Sequence, residues 1–141
     1  MKKAYPQNNF VCFADNSPIR EVNAAILAGL GVKGKNGLLI NKTYGSYVFI
    51  AEIVTDLKLP PSDSCTESCL ECDLCVKNCP SGAIKDGRID EKRCLSYITQ
   101  KKGTLTSDEE NLIKKSGIIW GCDVCSDICP ICIGNGDGMT G

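Results

Sequence analysis

Histidine is absent from this sequence of 141 residues. That removes Cys/His zinc fingers, histidine-based triads and histidine axial ligands together. Also missing is any run of about 18 apolar residues, the shortest that reads as a membrane-crossing helix. The opening Met1-Lys2-Lys3 leads into Tyr5-Pro6-Gln7-Asn8-Asn9 and not into an apolar signal core. Net charge is close to absent at −1, which excludes a strongly basic nucleic-acid arm and leaves only local lysine clusters. Hydrophobic residues at 43% and charged residues at 23% describe a globular chain, not a disordered tail. The expectation is a soluble, cytoplasmic protein with no membrane partner, built as one domain or two small ones.

What is plentiful is cysteine. The chain has 11, and thiols kept reduced in the cytosol argue for metal binding over disulfides. An odd number also suits a disulfide framework poorly. The placement divides the chain: Cys12 stands alone in the first part, and the other ten lie between positions 65 and 132. Leu59-Pro60-Pro61-Ser62-Asp63-Ser64 reads as a linker between the parts. The expected domains are therefore 1–60 and 61–141.

Residues 1–60 read as α/β. Ser17-Pro18 has helix-start chemistry, a hydroxyl cap before the fixed φ of proline. Ile19, Val22, Ile26 and Leu30 follow at helical spacing, and Gly29 and Gly31 can end the helix. Lys33 to Gly37 is a turn-rich loop. The apolar runs Leu38-Leu39-Ile40 and Tyr47 to Val54 then read as two strands around a glycine-containing loop. Cys12, inside Phe10-Val11-Cys12-Phe13, is most simply a buried thiol. The second part has few periodic stretches, as expected where metal organises the chain. One helix is well signalled by the capping-box spacing from Ser107 to Glu110, with Lys114 and Lys115 near its end and Gly117 as terminator.

The chemistry lies in two cysteine constellations. Cys69-x2-Cys72-x2-Cys75-x3-Cys79-Pro80 is the spacing of a two-cluster ferredoxin, in which three thiolates wrap one iron–sulfur cube and the fourth ligates the other. Cys122-x2-Cys125-x3-Cys129-Pro130 repeats the last three positions and lacks the first. Cys94, 28 positions before Cys122, is the spare thiol that completes it. Pseudo-twofold logic assigns Cys69, Cys72, Cys75 and Cys129 to one [4Fe–4S] cluster, and Cys79, Cys94, Cys122 and Cys125 to the other. The plainer alternative is a pair of four-thiolate zinc sites. Zinc sites typically use two separated C-x2–4-C knuckles and require neither a third closely spaced cysteine nor the proline. Cys12, Cys65 and Cys132 receive no role.

Clusters alone indicate electron transfer without saying which. Asp15-Asn16-Ser17-Pro18-Ile19-Arg20-Glu21, Ala28-Gly29-Leu30-Gly31 through Gly34-Lys35-Asn36-Gly37-Leu38-Leu39-Ile40, Tyr44-Gly45-Ser46, and Glu52-Ile53-x-Thr55-Asp56-Leu57 carry a resemblance. Arg93-Cys94-Leu95-Ser96-Tyr97-x-Thr99 and Trp120-Gly121-Cys122-Asp123-x-Cys125 continue it in order. From about residue 10 to residue 130 the sequence resembles the catalytic core of the epoxyqueuosine reductases.

The resemblance implies a fold of class α+β: a partial corrinoid-binding α/β portion followed by a ferredoxin-like double [4Fe–4S] domain. It implies cobalamin beside the clusters, and reduction of epoxyqueuosine to queuosine in a tRNA anticodon stem-loop. Electrons would come from an external donor such as a flavodoxin or ferredoxin. Asp15, which on residue chemistry alone reads as a helix cap, becomes by resemblance the acid that protonates the departing oxygen. Gly34 to Gly37 reads by itself as a solvated turn; by resemblance this loop, Lys35 and Asn36 included, and the following Leu38-Leu39 line the corrinoid, with Ser96 and Tyr97 after Cys94. The absence of histidine matches a family that binds cobalamin without a histidine lower ligand. Lys92-Arg93, Lys101-Lys102 and Lys114-Lys115 are either tRNA phosphate contacts or a solvated basic face. Family members carry a longer N-terminal region before the Asp15 motif than this sequence covers. Two other functions stay open: a two-cluster ferredoxin-type electron carrier, and a corrinoid reductase with another substrate.

Overall fold

The two ends of the first part meet as a β-ribbon. In a computed structural model of the protein, which describes residues 1–14, 17–63, 65, 68–70 and 72–133, strand β1 (Phe10–Ala14) pairs antiparallel with β4 (Ala51–Thr55). Phe10 faces Thr55 and Ala14 faces Ala51 in register. Asp56 closes the open end of the ribbon, accepting from the Asn8 amide at 2.9 Å and from the Asn9 backbone and side chain at 2.9 and 2.8 Å. These donors hold the Asp56 carboxyl below its ordinary range, the Asn8 bond foremost.

This pairing departs from the sequence reading. The strand expected over Tyr47–Val54 begins only at Ala51, and its partner is Phe10–Ala14, not Leu38–Ile40. Leu39–Ile40 (β3) instead pairs back onto Val32–Lys33 (β2) across the Gly34–Leu38 turn. The tight turn makes that short pairing local, so it forms in preference to a partner further on. Cys12 is likewise exposed, not buried, because the two-stranded ribbon leaves both its faces largely open.

Helix α1 spans Glu21–Leu27, later than the Ser17-Pro18 start. The Ser17 hydroxyl accepts from the Ile19 backbone N–H at 3.1 Å, a local turn that competes with capping a helix. The end matches expectation. Gly29, at φ +73°, donates to the Ile26 carbonyl and Leu30 to the Ala25 carbonyl, the paired bonds of a Schellman stop. A Cβ at Gly29 would also strike the Asp63 carbonyl oxygen at 2.2 Å, so the helix end abuts the segment leading to the cysteines.

The second part consists of short elements: α2 (Leu74–Lys77), the hairpin β5 (Ile84–Lys85) and β6 (Arg88–Ile89), a 3-10 turn at Glu91–Arg93, α3 (Leu95–Gln100), α4 (Ser107–Ser116), α5 (Val124–Asp127) and α6 (Pro130–Ile133). The capping box of α4 sits one residue earlier than its spacing suggested. Thr106 accepts from the Glu109 N–H, and Glu109 accepts from the Thr106 N–H at 2.8 Å. Lys101 decides between the two registers, since its ammonium reaches both Glu109 oxygens at 2.6 Å. Gly117, at φ +71°, ends the helix as expected.

The buried apolar side chains among the described residues are few: Ala25, Leu39 and Ile40 from the first part, Ala83, Ile84, Leu95, Ile98 and Cys132 from the second. So small a core is consistent with a chain whose second part is organised around thiols. No described helix is long and apolar enough to cross a membrane.

Candidate functional site

Each half of the cysteine pattern folds the same way. Cys75 lies in the single turn of α2 and Cys125 in the single turn of α5, and Cys79-Pro80 and Cys129-Pro130 follow just past each turn. Helices α2 and α5 pack against each other. The cysteine trailing one helix is thereby delivered to the neighbourhood of the other. One cavity is lined by Cys69, Cys72, Cys75 and Cys129, with Lys35, Ile40 and Ile131 in its wall. A second is lined by Cys79, Cys94, Cys122 and Cys125, with Ala83, Ile84, Ile89 and Leu95. All eight thiols expected as ligands thus gather four by four, in the crossed arrangement. Among the described residues, no three His, Cys, Asp or Glu side chains converge closely enough to hold a single ion; the thiols instead spread around each cavity.

The electrostatics follow from crowding thiols in half-buried space. Burial, then repulsion from Cys122 and Cys94, pushes the Cys125 thiol up to about 11. Burial also raises Cys75, Cys122 and Cys129, with neighbouring cysteines adding to it. Cys79 goes the other way. Burial alone would raise it, but hydrogen bonds from Ser81 and from the backbone at Ala83, whose N–H lies 3.3 Å from the sulfur, together outweigh that. Donors already aimed at a sulfur favour its thiolate form, which is the form that binds metal.

Beside the second thiol cavity opens a larger one of about 530 Å³, within the range of small-molecule sites. Asn36, Leu38, Ser96 and Tyr97 line it together with Cys94, Cys122 and Cys125. Four of the six residues expected near a corrinoid, Asn36, Leu38, Ser96 and Tyr97, therefore meet in one space. The other two do not. Lys35 turns to the first thiol cavity and pairs with Asp73 at 2.6 Å. Leu39 is buried in the core at 5% exposure and does not line the cavity that its neighbour Leu38 faces. Asp15 lies outside the described residues. A separate groove of about 780 Å³ is lined by Ser17, Arg20, Lys33 and Arg88 alongside Glu21 and Glu91.

The expected basic pairs are partly committed elsewhere. Lys101 is tied to Glu109, Lys114 approaches Glu110 at 3.8 Å, and Arg93 donates to the Ser81 carbonyl. Sequence reasoning missed the lock between the two parts. The Ser46 hydroxyl bonds Ser126 at 2.8 Å, the Ser46 N–H reaches the buried Cys132 sulfur at 3.2 Å, and Tyr47 donates to Asp127. The Asp127 bond, with burial behind it, holds the Tyr47 hydroxyl well above its usual range. Cys132, given no role from sequence, fills the space over Gly45, where a Cβ would lie 2.9 Å from its sulfur. No spacing rule joins residues this far apart.

Comparison with known proteins agrees with the geometry. Residues 68–131 match the family described as a 4Fe-4S double cluster binding domain. The epoxyqueuosine reductase of Lactococcus garvieae is 41% identical over 123 residues, covering 86% of this chain and 34% of that protein. The solved epoxyqueuosine reductase of Streptococcus thermophilus superimposes with a TM-score of 0.85 at 34% identity, over 94% of this chain and 36% of that one. Over most of its length the chain is similar to the epoxyqueuosine reductases. It spans about a third of the length of the curated relatives it matches. Another solved epoxyqueuosine reductase, bound to an epoxyqueuosine-modified tRNA-Tyr stem loop, aligns at TM-score 0.83 and 31% identity over 94% of this chain and 35% of that one. The double-cluster match over residues 68–131 includes all eight cysteines of the two thiol cavities.

Proposed function

We propose that this chain is the iron–sulfur part of an epoxyqueuosine-reductase-type oxidoreductase, acting on epoxyqueuosine in a tRNA anticodon stem-loop. The observation that carries the reading is the sorting of eight cysteines into two cavities against their order in sequence. Four thiols spread around a cavity suit a group with a metal at each corner better than they suit one ion. The donor set is all sulfur, the ligand chemistry of iron–sulfur clusters. Cys69, Cys72, Cys75 and Cys129 would hold one [4Fe–4S] cluster, and Cys79, Cys94, Cys122 and Cys125 the other. Residues 61–141 form the ferredoxin-like domain, and residues 1–60 contribute a partial corrinoid-binding portion.

The cavity beside Cys94 and Cys122 is the place for cobalamin, where Asn36, Leu38, Ser96 and Tyr97 would contact it. When bound, the clusters would supply one-electron transfer from a donor such as a flavodoxin or ferredoxin, and the corrinoid would supply a strong reductant for the epoxide. The chain's own residues have simpler tasks. Ser96 and Tyr97 follow Cys94 in α3, so one short helix ties a cluster ligand to the cavity wall. Asp15 holds the proton that the departing oxygen takes up. The mixed-charge groove beyond Ser17 offers Arg20, Lys33 and Arg88 to phosphate.

The test is anaerobic reconstitution followed by cobalamin addition, with the part of a curated relative that this chain does not cover supplied alongside. Two thiolate-held cubes predict about eight iron and about eight sulfide per chain, a cobalamin spectrum altered by the protein, and turnover of epoxyqueuosine stem-loop. Zinc without sulfide overturns the cluster assignment. Clusters that cycle electrons with no cobalamin bound leave the electron-carrier reading in place of the reductase.

A further inference from the structure

The two thiol cavities differ in charge, which the cysteine spacing does not encode. Among the described residues, the wall of the first cavity holds one charged side chain besides its thiols, Lys35. The wall of the second holds none. Lys35 lines neither that second cavity nor the larger one beside it. Its aim has two local causes. The Gly37 N–H closes the turn onto the Gly34 carbonyl at 2.9 Å, with Lys35 at the first inner position. The ammonium then donates to Asp73 Oδ1 at 2.6 Å. Asp73 stands between Cys72 and Cys75 in sequence, at φ +54°, a left-handed conformation that Asp and Asn adopt more readily than most side chains. Lys35 lines the cavity and Asp73 does not, so the cation is the member of the pair that faces the four sulfurs. At 25% side-chain exposure, its charge is only partly screened by solvent.

We infer that Lys35 raises the reduction potential of the cluster held by Cys69, Cys72, Cys75 and Cys129, with Asp73 moderating its charge. This rests on the cluster reading of the two thiol cavities. One-electron reduction of a thiolate-ligated cube adds one negative charge to a centre that is already anionic. A cation in the cavity wall stabilises the reduced state more than the oxidised one, and a carboxylate behind it does the reverse. The second cluster, with no charged side chain in its wall among the described residues, lacks this device. Lys35 is a tuning residue in this account, one that faces the ligand sulfurs and not the substrate.

The experiment uses the full chain, reconstituted anaerobically, with each cluster's potential read by EPR during titration with a low-potential reductant. Cys122→Ala and Cys129→Ala identify which signal belongs to which cluster. Lys35→Met removes the charge at similar length. It should make the first cluster harder to reduce by about tenfold in the reduction equilibrium, or about 59 mV for one electron. Asp73→Asn removes the opposing charge, keeps a side chain that tolerates φ +54°, and should shift the same cluster the opposite way. Lys35→Arg keeps the charge and should restore the potential. The second cluster should move less in every case. A pair with a merely structural role would move the first cluster in one direction whichever partner is removed. Shifts of the same sign, no shift in loaded protein, or equal shifts in both clusters overturn the inference and spare the cluster reading. If Lys35→Met takes up no iron at the first site, Asp73→Asn decides alone: a raised potential supports the inference, and an unmoved or lowered one overturns it. Unsubstituted chain that takes up no iron and sulfide overturns both.

Discussion

Replacing Cys129 tests the wiring of the two cavities directly. Cys129 is four residues from Cys125 in sequence, yet it lines the cavity of Cys69, Cys72 and Cys75. Cys129→Ala removes one of four thiols around the first cavity and none around the second. A cube left with three thiolates is lost on reconstitution, so iron should fall from about eight to about four per chain. Cys122→Ala should give the same iron content through the other cluster. The informative measurement is the pair. If Cys122 and Cys129 serve different clusters, changing both should bring iron to about zero, whereas Cys75→Ala with Cys129→Ala should still leave about four. Iron and sulfide assays supply the counts, and EPR spin quantitation shows which signal survives. Retention of about four iron by the Cys122, Cys129 double variant would place them on one cluster and refute the crossed assignment.

Other outcomes follow from single contacts. Asp15→Asn should cut turnover about 10²–10⁴-fold with iron content unchanged if Asp15 is the proton donor; as a cap it would be nearly neutral, because Asn caps as well as Asp. Gly45→Ala forces a Cβ to 2.8 Å from the Cys132 Cα at a φ of +61°, and should destabilise the holo protein by about 1–3 kcal/mol. An unchanged melting temperature would deny that contact. Thr106→Ala removes the α4 cap and should cost about 1 kcal/mol in chemical denaturation. Glu109, bonded by Lys101 and then by Thr106, has its carboxyl held below its ordinary 4.5. A depressed acid stabilises the fold fully above the unfolded value and loses that as pH falls through the lowered one. Glu109→Gln should therefore flatten the stability profile below about pH 4.5, and an unaltered acid limb would show the pair to be inert.

The parts of the site legible in the sequence were those encoded by spacing. Two C-x2-C-x3-C-P repeats with a spare upstream cysteine identified the thiols that the fold brings together. A ligand pattern is local, because each short helix carries its own cysteines at fixed intervals. The residues expected near a corrinoid gather less completely: Asn36, Leu38, Ser96 and Tyr97 line one cavity, and Lys35 and Leu39 do not. Leu38 and Leu39 are adjacent and identical in chemistry, so only the fold decides which one lines the cavity, and Lys35 was drawn to Asp73, a residue whose αL backbone at φ +54° no spacing announces.

By itself, the sequence determined the composition of the site: sulfur without histidine, two repeats of one motif, and glycines at helix ends where only a left-handed residue can stop the turn. Local backbone chemistry suffices for these, since caps, turns and ligand spacings act within a few residues. The tertiary structure alone decided how those pieces combine. Which strand pairs with Ala51–Thr55, which of Leu38 and Leu39 lines the larger cavity, and where Cys132 goes all depend on segments distant in sequence. Packing makes those choices, through the meeting of α2 with α5, the lock of Ser46 on Ser126, and the space that Gly45 leaves for a sulfur.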